Sequence, residues 1–275
     1  MKKKRENIFL WNPALITGIV ILAAAAVSFF VSPLLAIAIA FFYIILCVTA
    51  CFFPQTNFLV PVVSHGNTGE NLVALTFDDG PSEPVTRQIL DLLDRYSAPA
   101  TFFVTGVNAA RLPEMIKEII ARGHTIGNHS FHHDPFLMLK GSKVIYQEIS
   151  AAQEVLQKIG VHAIAFRPPV GIVNPQLAPL LEKLNMYCLT FSCRAGDYGN
   201  RRVKDISRKI LKKVKADDII LLHDVPPRGN ADQQILLKEI ETLLLGLAAR
   251  GLKVVPLATL IGKKIMHEGI IKIYN

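Results

Sequence analysis

Two carboxylates stand side by side at the end of an apolar run, in Thr76-Phe77-Asp78-Asp79-Gly80-Pro81. Adjacent carboxylates raise each other's proton affinity unless a cation or donor intervenes. The pair therefore reads either as a cation site or as an Asx-type turn punctuated by Gly80 and Pro81. Further along, His129 and His133 are four residues apart in His129-Ser130-Phe131-His132-His133. On one helical turn they would share a face, a spacing suited to gripping a single ion. Taken singly, each histidine is more commonly a surface or packed residue than a ligand. Together with a carboxylate, the two imidazoles make the three-ligand set that leaves a catalytic zinc open to water or substrate. His132 is expected to point elsewhere.

Two more polar clusters follow apolar runs. Arg167-Pro168-Pro169-Val170-Gly171 places an arginine, stiffened by two prolines, where it can orient a carboxylate; the plain alternative is a loop cation. Leu221-Leu222-His223-Asp224 ends another run with a histidine able to titrate near neutral pH.

The segments that must position these groups alternate between β-rich and amphipathic. Strands are predicted over 72–77, 100–104, 125–127, 163–166, 186–191, 218–222 and 253–256. Helices are predicted over 85–96, 111–122, 144–159, 176–184, 203–214 and 233–250. Such alternation argues for parallel strands with crossover helices, an α/β barrel or doubly wound sheet. In both, chemistry belongs at the strand C-termini, which is where the polar clusters fall.

Ahead of this unit, no Asp, Glu, Lys or Arg occurs between Glu6 and Glu70, and residues 13–53 are almost wholly apolar. A hydrocarbon core about 30 Å thick is crossed by about 20 helical residues, so the run is long enough for two passes. Pro33 near its midpoint breaks the helical ladder, giving a predicted transmembrane hairpin of 14–31 and 34–53. A basic N-terminal segment, 1–13, precedes it, and a connector, 54–71, leads to a catalytic domain over 72–275. A cleaved signal peptide has an apolar region of only roughly 7 to 15 residues, far shorter than this one; a single tilted anchor remains the alternative. Lys2, Lys3, Lys4 and Arg5 keep the N-terminus cytoplasmic by the positive-inside rule. Two passes return the domain to the cytoplasmic face of the membrane; one pass puts it outside.

The formal net charge is +8, but the basic residues are scattered without an interleaved aromatic motif, which argues against nucleic acid as a partner. Attraction to anionic lipid headgroups accounts for the charge more simply. The four cysteines, Cys47, Cys51, Cys188 and Cys193, have neither zinc-knuckle nor disulfide-framework spacing.

In their order along the chain these motifs resemble the polysaccharide deacetylase family, carbohydrate esterase family 4, whose shared unit is the NodB homology domain. The resemblance runs over about 72–260. It implies a distorted (β/α) barrel of seven or eight strands. It also implies that Asp78 is the catalytic base, that Asp79, His129 and His133 bind the metal, that Arg167 orients the base, and that His223 is the general acid tuned by Asp197. The backbone N–H of Val170 would help hold the oxyanion. Three positions depart from the family pattern: Val170 replaces an aromatic residue, Arg194 stands where many members carry an Asp, and Tyr198 replaces Trp.

The expected chemistry is metal-dependent hydrolysis, with Zn2+ the first candidate, of an N-acyl amino sugar in a polysaccharide or lipid-linked glycan. Acetyl is the expected acyl group, with a lipid-linked deformylase as the alternative. Two histidines and a carboxylate also form the facial triad of non-haem iron oxygenases, which needs neither an Asp78 base nor a late His223. A non-catalytic carbohydrate-binding membrane protein is a further alternative, suggested by Val170 and Arg194.

Overall fold

A computed structural model describes residues 12–227 and 233–269. The basic stretch Lys2–Arg5 and the end of the expected 72–275 unit lie outside the described residues.

The chain begins with two apolar helices, α1 (Pro13–Phe29) and α2 (Pro33–Phe52). Each starts on a proline, whose missing N–H costs nothing in the first turn. Asn12 caps α1 by accepting from the Ala14 N–H, and Ser32 caps α2 by accepting from Leu35. The helices pack through small residues: Ala14, Gly18 and Ala25 of α1 and Ala36 and Ala50 of α2 are buried. A side chain on Gly18 would collide with the Tyr43 ring, whose hydroxyl donates to the Ala14 carbonyl at 2.6 Å. Small residues at helix contacts and large apolar ones outside are what packing within lipid favours. Among the described residues α2 is the one helix both long and apolar enough to cross a membrane; α1 is apolar but shorter.

The connector expected over 54–71 is instead partly built into the domain. It holds a short 3-10 turn, Pro54–Thr56, and the strand β1 (Val62–Val63), with Leu59 and Val60 buried. Burial of those apolar side chains outweighs the turn signals that suggested an irregular link. From there the alternation runs through β2 (Leu72–Asp78), α3 (Val85–Arg95), β3 (Ala100–Val104), α4 (Gly106–Arg111), α5 (Pro113–Ala121) and β4 (Thr125–Asn128). Then come α6 (Ser142–Lys158), β5 (Val161–Ala163), β6 (Ala165–Phe166), α7 (Leu177–Lys183), β7 (Tyr187–Leu189) and β8 (Cys193–Arg194). The chain closes with α8 (Ile206–Leu211), β9 (Ile219–His223), α9 (Gln233–Ala249), β10 (Lys253–Val254), α10 (Leu257–Ile261) and β11 (Met266–Glu268).

The main sheet has the order β1-β7-β6-β4-β3-β2-β9-β8, with β10 also paired to β2. Every pairing along it is parallel. β11 pairs antiparallel with β5. The path ends at β1 and β8 without joining them, so the sheet is a curled half-barrel rather than a closed (β/α) ring. Both faces of a parallel sheet are covered, which is why β2 and β3 read as near-continuous apolar runs. The helices cover it with one apolar face each. In α6, Ile145, Ile149, Ala152 and Leu156 recur at helical spacing and are buried. The helix predicted over 111–122 is α5, which begins on Pro113 as a fresh first turn, and a short helix that was not predicted, α4, precedes it.

Candidate active site

Four strands deliver the polar residues at their C-terminal ends. β2 ends on Asp78, β4 leads into His129, β6 into Arg167, and β9 ends on His223. Asp78 and His223 are register partners across β2 and β9.

The imidazoles of His129 and His133 come together, ring centroids 4.8 Å apart, but not on a helix. The expected helical turn is an irregular loop in which Ser130 and His133 both adopt positive φ. Asn128 Oδ1 accepts from the Ser130 N–H, and Ser130 Oγ accepts from the His133 N–H. Side-chain acceptors thus fold the segment more tightly than helical periodicity would. His132 turns away and meets Glu148 at 2.7 Å.

Asp79 Oδ1 lies 3.4 Å from His129 Nε2 and 3.1 Å from His133 Nε2. It is buried and has no hydrogen-bond partner among the described residues. One ligand atom from each of the three residues falls within 4.8 Å of the others. The tautomer of His129 is fixed, because its Nδ1 lies 2.7 Å from the Arg167 carbonyl, which can only accept. Its Nε2 is therefore the free ligand atom, the arrangement by which outer partners aim metal-binding imidazoles. An orphaned carboxylate oxygen facing two imidazole nitrogens fits a divalent cation.

The electrostatics agree with that fit. Burial pushes Asp79 up, but the close imidazole of His129, helped by His133 and His223, holds it well below the ordinary carboxylate range. Burial and the neighbouring His129 push His133 down. For His129, burial acts downward, yet the fields of Asp78 and Asp79 raise it overall.

Asp78 is held differently. Its Oδ1 accepts from Arg167 Nη1 at 2.6 Å, and its Oδ2 lies 3.7 Å from His129 Nε2. Arg167 is completely enclosed. The same Nη1 donates to Thr76 Oγ1, and Nη2 donates to the Thr190 carbonyl. The guanidinium also stacks on Phe103, 3.9 Å from the ring centroid. A permanently charged group fastened on three sides leaves its carboxylate partner a fixed orientation.

On the opposite flank, His223 Nδ1 donates to Asp197 Oδ2 at 2.6 Å, leaving Nε2 free. Burial lowers the histidine, but Asp197, with Asp79 and Asp78 behind it, raises it to about 9. Asn200 completes the support: its N–H meets Asp197 Oδ2, and its Nδ2 donates to the His223 and Val225 carbonyls.

Val170 follows Arg167 by three residues in the turn Pro169–Gly171, with φ 54° and its side chain half-exposed. A β-branched residue rarely adopts the left-handed region, and such strain at a pocket edge requires support from its surroundings. The ring of Phe191 lies against the neighbouring Gly171. Of the remaining departures, Tyr198 is exposed with Arg202 over its ring, and Arg194 is exposed beside Phe191.

Several contributors had no role in the sequence reading. Thr76 sits two residues before Asp78, on the same face of the strand, so period-two alternation could have flagged it. Asn108 donates to the Asp79 carbonyl at 2.8 Å. Asp224 accepts from the Gly80 N–H and from Thr86 Oγ1, and its own carbonyl accepts from Ser82. A side chain on Gly80 would occupy the position of the Asp224 carboxyl. Enclosure pushes that carboxyl up to about 7. Nothing local in the sequence distinguishes Asn200 or Asn108 from loop asparagines.

The polysaccharide deacetylase family profile matches residues 65–189. A peptidoglycan-N-acetylglucosamine deacetylase, PgdA of Listeria monocytogenes, is 32% identical over 75% of this chain and 42% of its own length. The chain thus spans less than half of that relative. A peptidoglycan-N-acetylglucosamine deacetylase of Bacillus cereus is 30% identical over 71% of this chain and 90% of its own length. Among solved structures, the chitin deacetylase of the fungal pathogen Colletotrichum lindemuthianum superposes with a TM-score of 0.65 at 25% identity, covering 74% of this chain and 92% of that one. Sequence and fold agree: the chain belongs to the polysaccharide deacetylase family.

Proposed function

We propose that this protein removes the N-acetyl group from an amino sugar by metal-dependent hydrolysis. The observation that carries the reading is the orphaned, buried Asp79 oxygen facing two imidazole nitrogens, between an ion-paired carboxylate and a carboxylate-supported histidine. A divalent cation held by Asp79, His129 and His133, zinc being the ion best suited to such a donor set, would polarise the acyl carbonyl and acidify a water. Asp78, aimed by Arg167, takes the proton from the attacking water. The Val170 N–H donates to the developing oxyanion, a contribution commonly worth about 3 to 4 kcal/mol. His223 gives its Nε2 proton to the departing nitrogen as the C–N bond breaks, and Asp197 stabilises the charged imidazole before that transfer. Acetate and a free amino sugar are the products.

The same names support this class of reaction: relatives and structural neighbours are deacetylases of peptidoglycan or chitin. Acetate release from N-acetylated amino-sugar oligomers, measured with and without a chelator and with zinc restored, tests the proposal. Zinc-restored turnover is expected. Turnover that survives complete removal of metal overturns the metal's part, and His129→Ala is expected to lose both metal and activity.

The helices α1 and α2 are proposed to cross the membrane as a hairpin. Both open ends lie against the domain, since Ala14 N–H donates to the Phe58 carbonyl and Val173 N–H to the Cys51 carbonyl. The domain and Lys2–Arg5 then share one side, the cytoplasmic one by the positive-inside rule. A reporter at the C-terminus scored for its side of the membrane checks this; an external reporter rules the hairpin out.

A further inference from the structure

The loop that follows His133 presents two large apolar side chains to solvent. Phe136 is 67% exposed and Leu139 82%, whereas Leu137 and Met138 between them are buried. The loop is not loose. Asp134 Oδ1 accepts from the Phe136 N–H, Asp134 pairs with Lys140, and residues Leu137–Leu139 form a 3-10 turn. Two inward side chains fix the backbone and hold two others outward, a costly arrangement in water alone.

Its position gives those side chains a destination. Asn174 Nδ2 donates to the Met138 carbonyl at 2.7 Å, and the neighbouring Val173 N–H donates to the Cys51 carbonyl, in the last turn of α2, at 3.1 Å. The loop is thus linked to the base of the helical hairpin through the 173–174 segment, and Phe52 and Phe53 at that base are also exposed. Exposed apolar side chains thus stand both at the hairpin base and on this loop, where Lys140 follows Leu139. Aromatic and aliphatic side chains interleaved with lysine are the composition of segments that lie in the headgroup region.

We propose that the Phe136–Leu139 loop is a second membrane contact, seated in the bilayer beside the base of the hairpin, and that the site it borders takes an amino sugar held at the membrane by a lipid. The inference rests on the deacetylase and hairpin readings above. The segment after Val170 meets the hairpin base through Val173, and the loop after His133 meets that segment through Met138. That rim of the site consequently sits at headgroup level, within reach of a lipid-anchored sugar.

The test uses the full chain in vesicles of zwitterionic and anionic phospholipid, with the sole tryptophan removed as Trp11→Phe. Single tryptophans are then placed by Phe41→Trp in α2, Phe136→Trp, or Tyr96→Trp at the end of α3. Acyl chains brominated near the headgroup or near the methyl end serve as quenchers. Phe41→Trp should be quenched, Tyr96→Trp unaffected, and Phe136→Trp dimmed roughly twofold, more by the shallow bromines. If Phe41→Trp is quenched and Phe136→Trp is not, the loop contact is wrong; if Phe41→Trp is also dark to bromine, the hairpin reading fails instead. For the substrate half, Phe136→Ser with Leu139→Ser should lower turnover of a lipid-linked N-acetyl amino sugar in vesicles about tenfold and leave a soluble chitooligosaccharide unchanged. Equal effects on both substrates overturn that half, whereas a parent chain inactive on both removes the deacetylase reading.

Discussion

The two flanks of the candidate metal cluster solve the same problem, holding a charge in a buried place, with opposite materials. On one, Asp78 faces Arg167, a cation that keeps its proton at any pH a protein survives. On the other, His223 faces Asp197, so the cation is the member that titrates. Under the proposed reaction, the group that must be ionised at rest is paired with a permanent charge. A group that must hold and then release a proton is paired with a carboxylate that raises its affinity without making release impossible. The enclosure differs accordingly: Arg167 is sealed and its partner nearly so, whereas the His223 side chain keeps 12% of its surface open to the pocket.

If that contrast holds, Asp78→Asn has the largest effect. Turnover should fall by about 10² to 10⁴ while bound metal, measured by elemental analysis, is retained. It also strands the Arg167 charge in the interior, so chemical denaturation should show a loss of about 3 to 5 kcal/mol. Full activity in this variant would strike out Asp78 as the base.

Asp197→Asn should be milder and dependent on pH. The folded His223 titrates above its unfolded value, so the stability it adds is complete below about pH 6.5 and disappears as pH rises through about 9. Without Asp197 its affinity drops toward the ordinary value. If it returns to about 6.5, turnover falls about 4-fold at pH 7 and about 80-fold at pH 8.5. A bound cation lowers parent and variant curves together. A pH profile whose alkaline limb stays in place refutes the pairing's role in tuning the proton donor.

Arg194→Ala is expected to do least, changing stability by no more than about 0.5 kcal/mol and turnover by no more than about twofold. It is an exposed side chain resting on Phe191 and belongs to neither flank. A large loss would mean that the acid side extends further than His223 and Asp197.

How much of this could be read without coordinates follows from how local each cause is. Alternation of apolar and polar residues carried the strand and helix order, because periodicity is a local consequence of burial. Strand-end position marked Asp78, Asp79, His129, Arg167 and His223, since β2, β4, β6 and β9 open onto one side of the sheet. The reason offered for His129 and His133 was mistaken: their approach comes from a loop folded by Asn128 and Ser130, not from helical spacing. The connector hid β1, two residues long and paired with the distant β7, because a strand that short leaves no periodic trace. Asn200 and Asp224 act through partners far along the chain, and their identity as loop polar residues says nothing of that.

The close approach of Gly80 to Asp224 has a mechanical consequence. With no room for even a methyl group between them, the segment bearing Asp79 and the strand end bearing His223 are riveted into one rigid jaw. Flexing that jaw would spoil the spacing of Asp79 and His223. Adjustment to the shape of a bound sugar is therefore left to the opposing lip, which carries Val170.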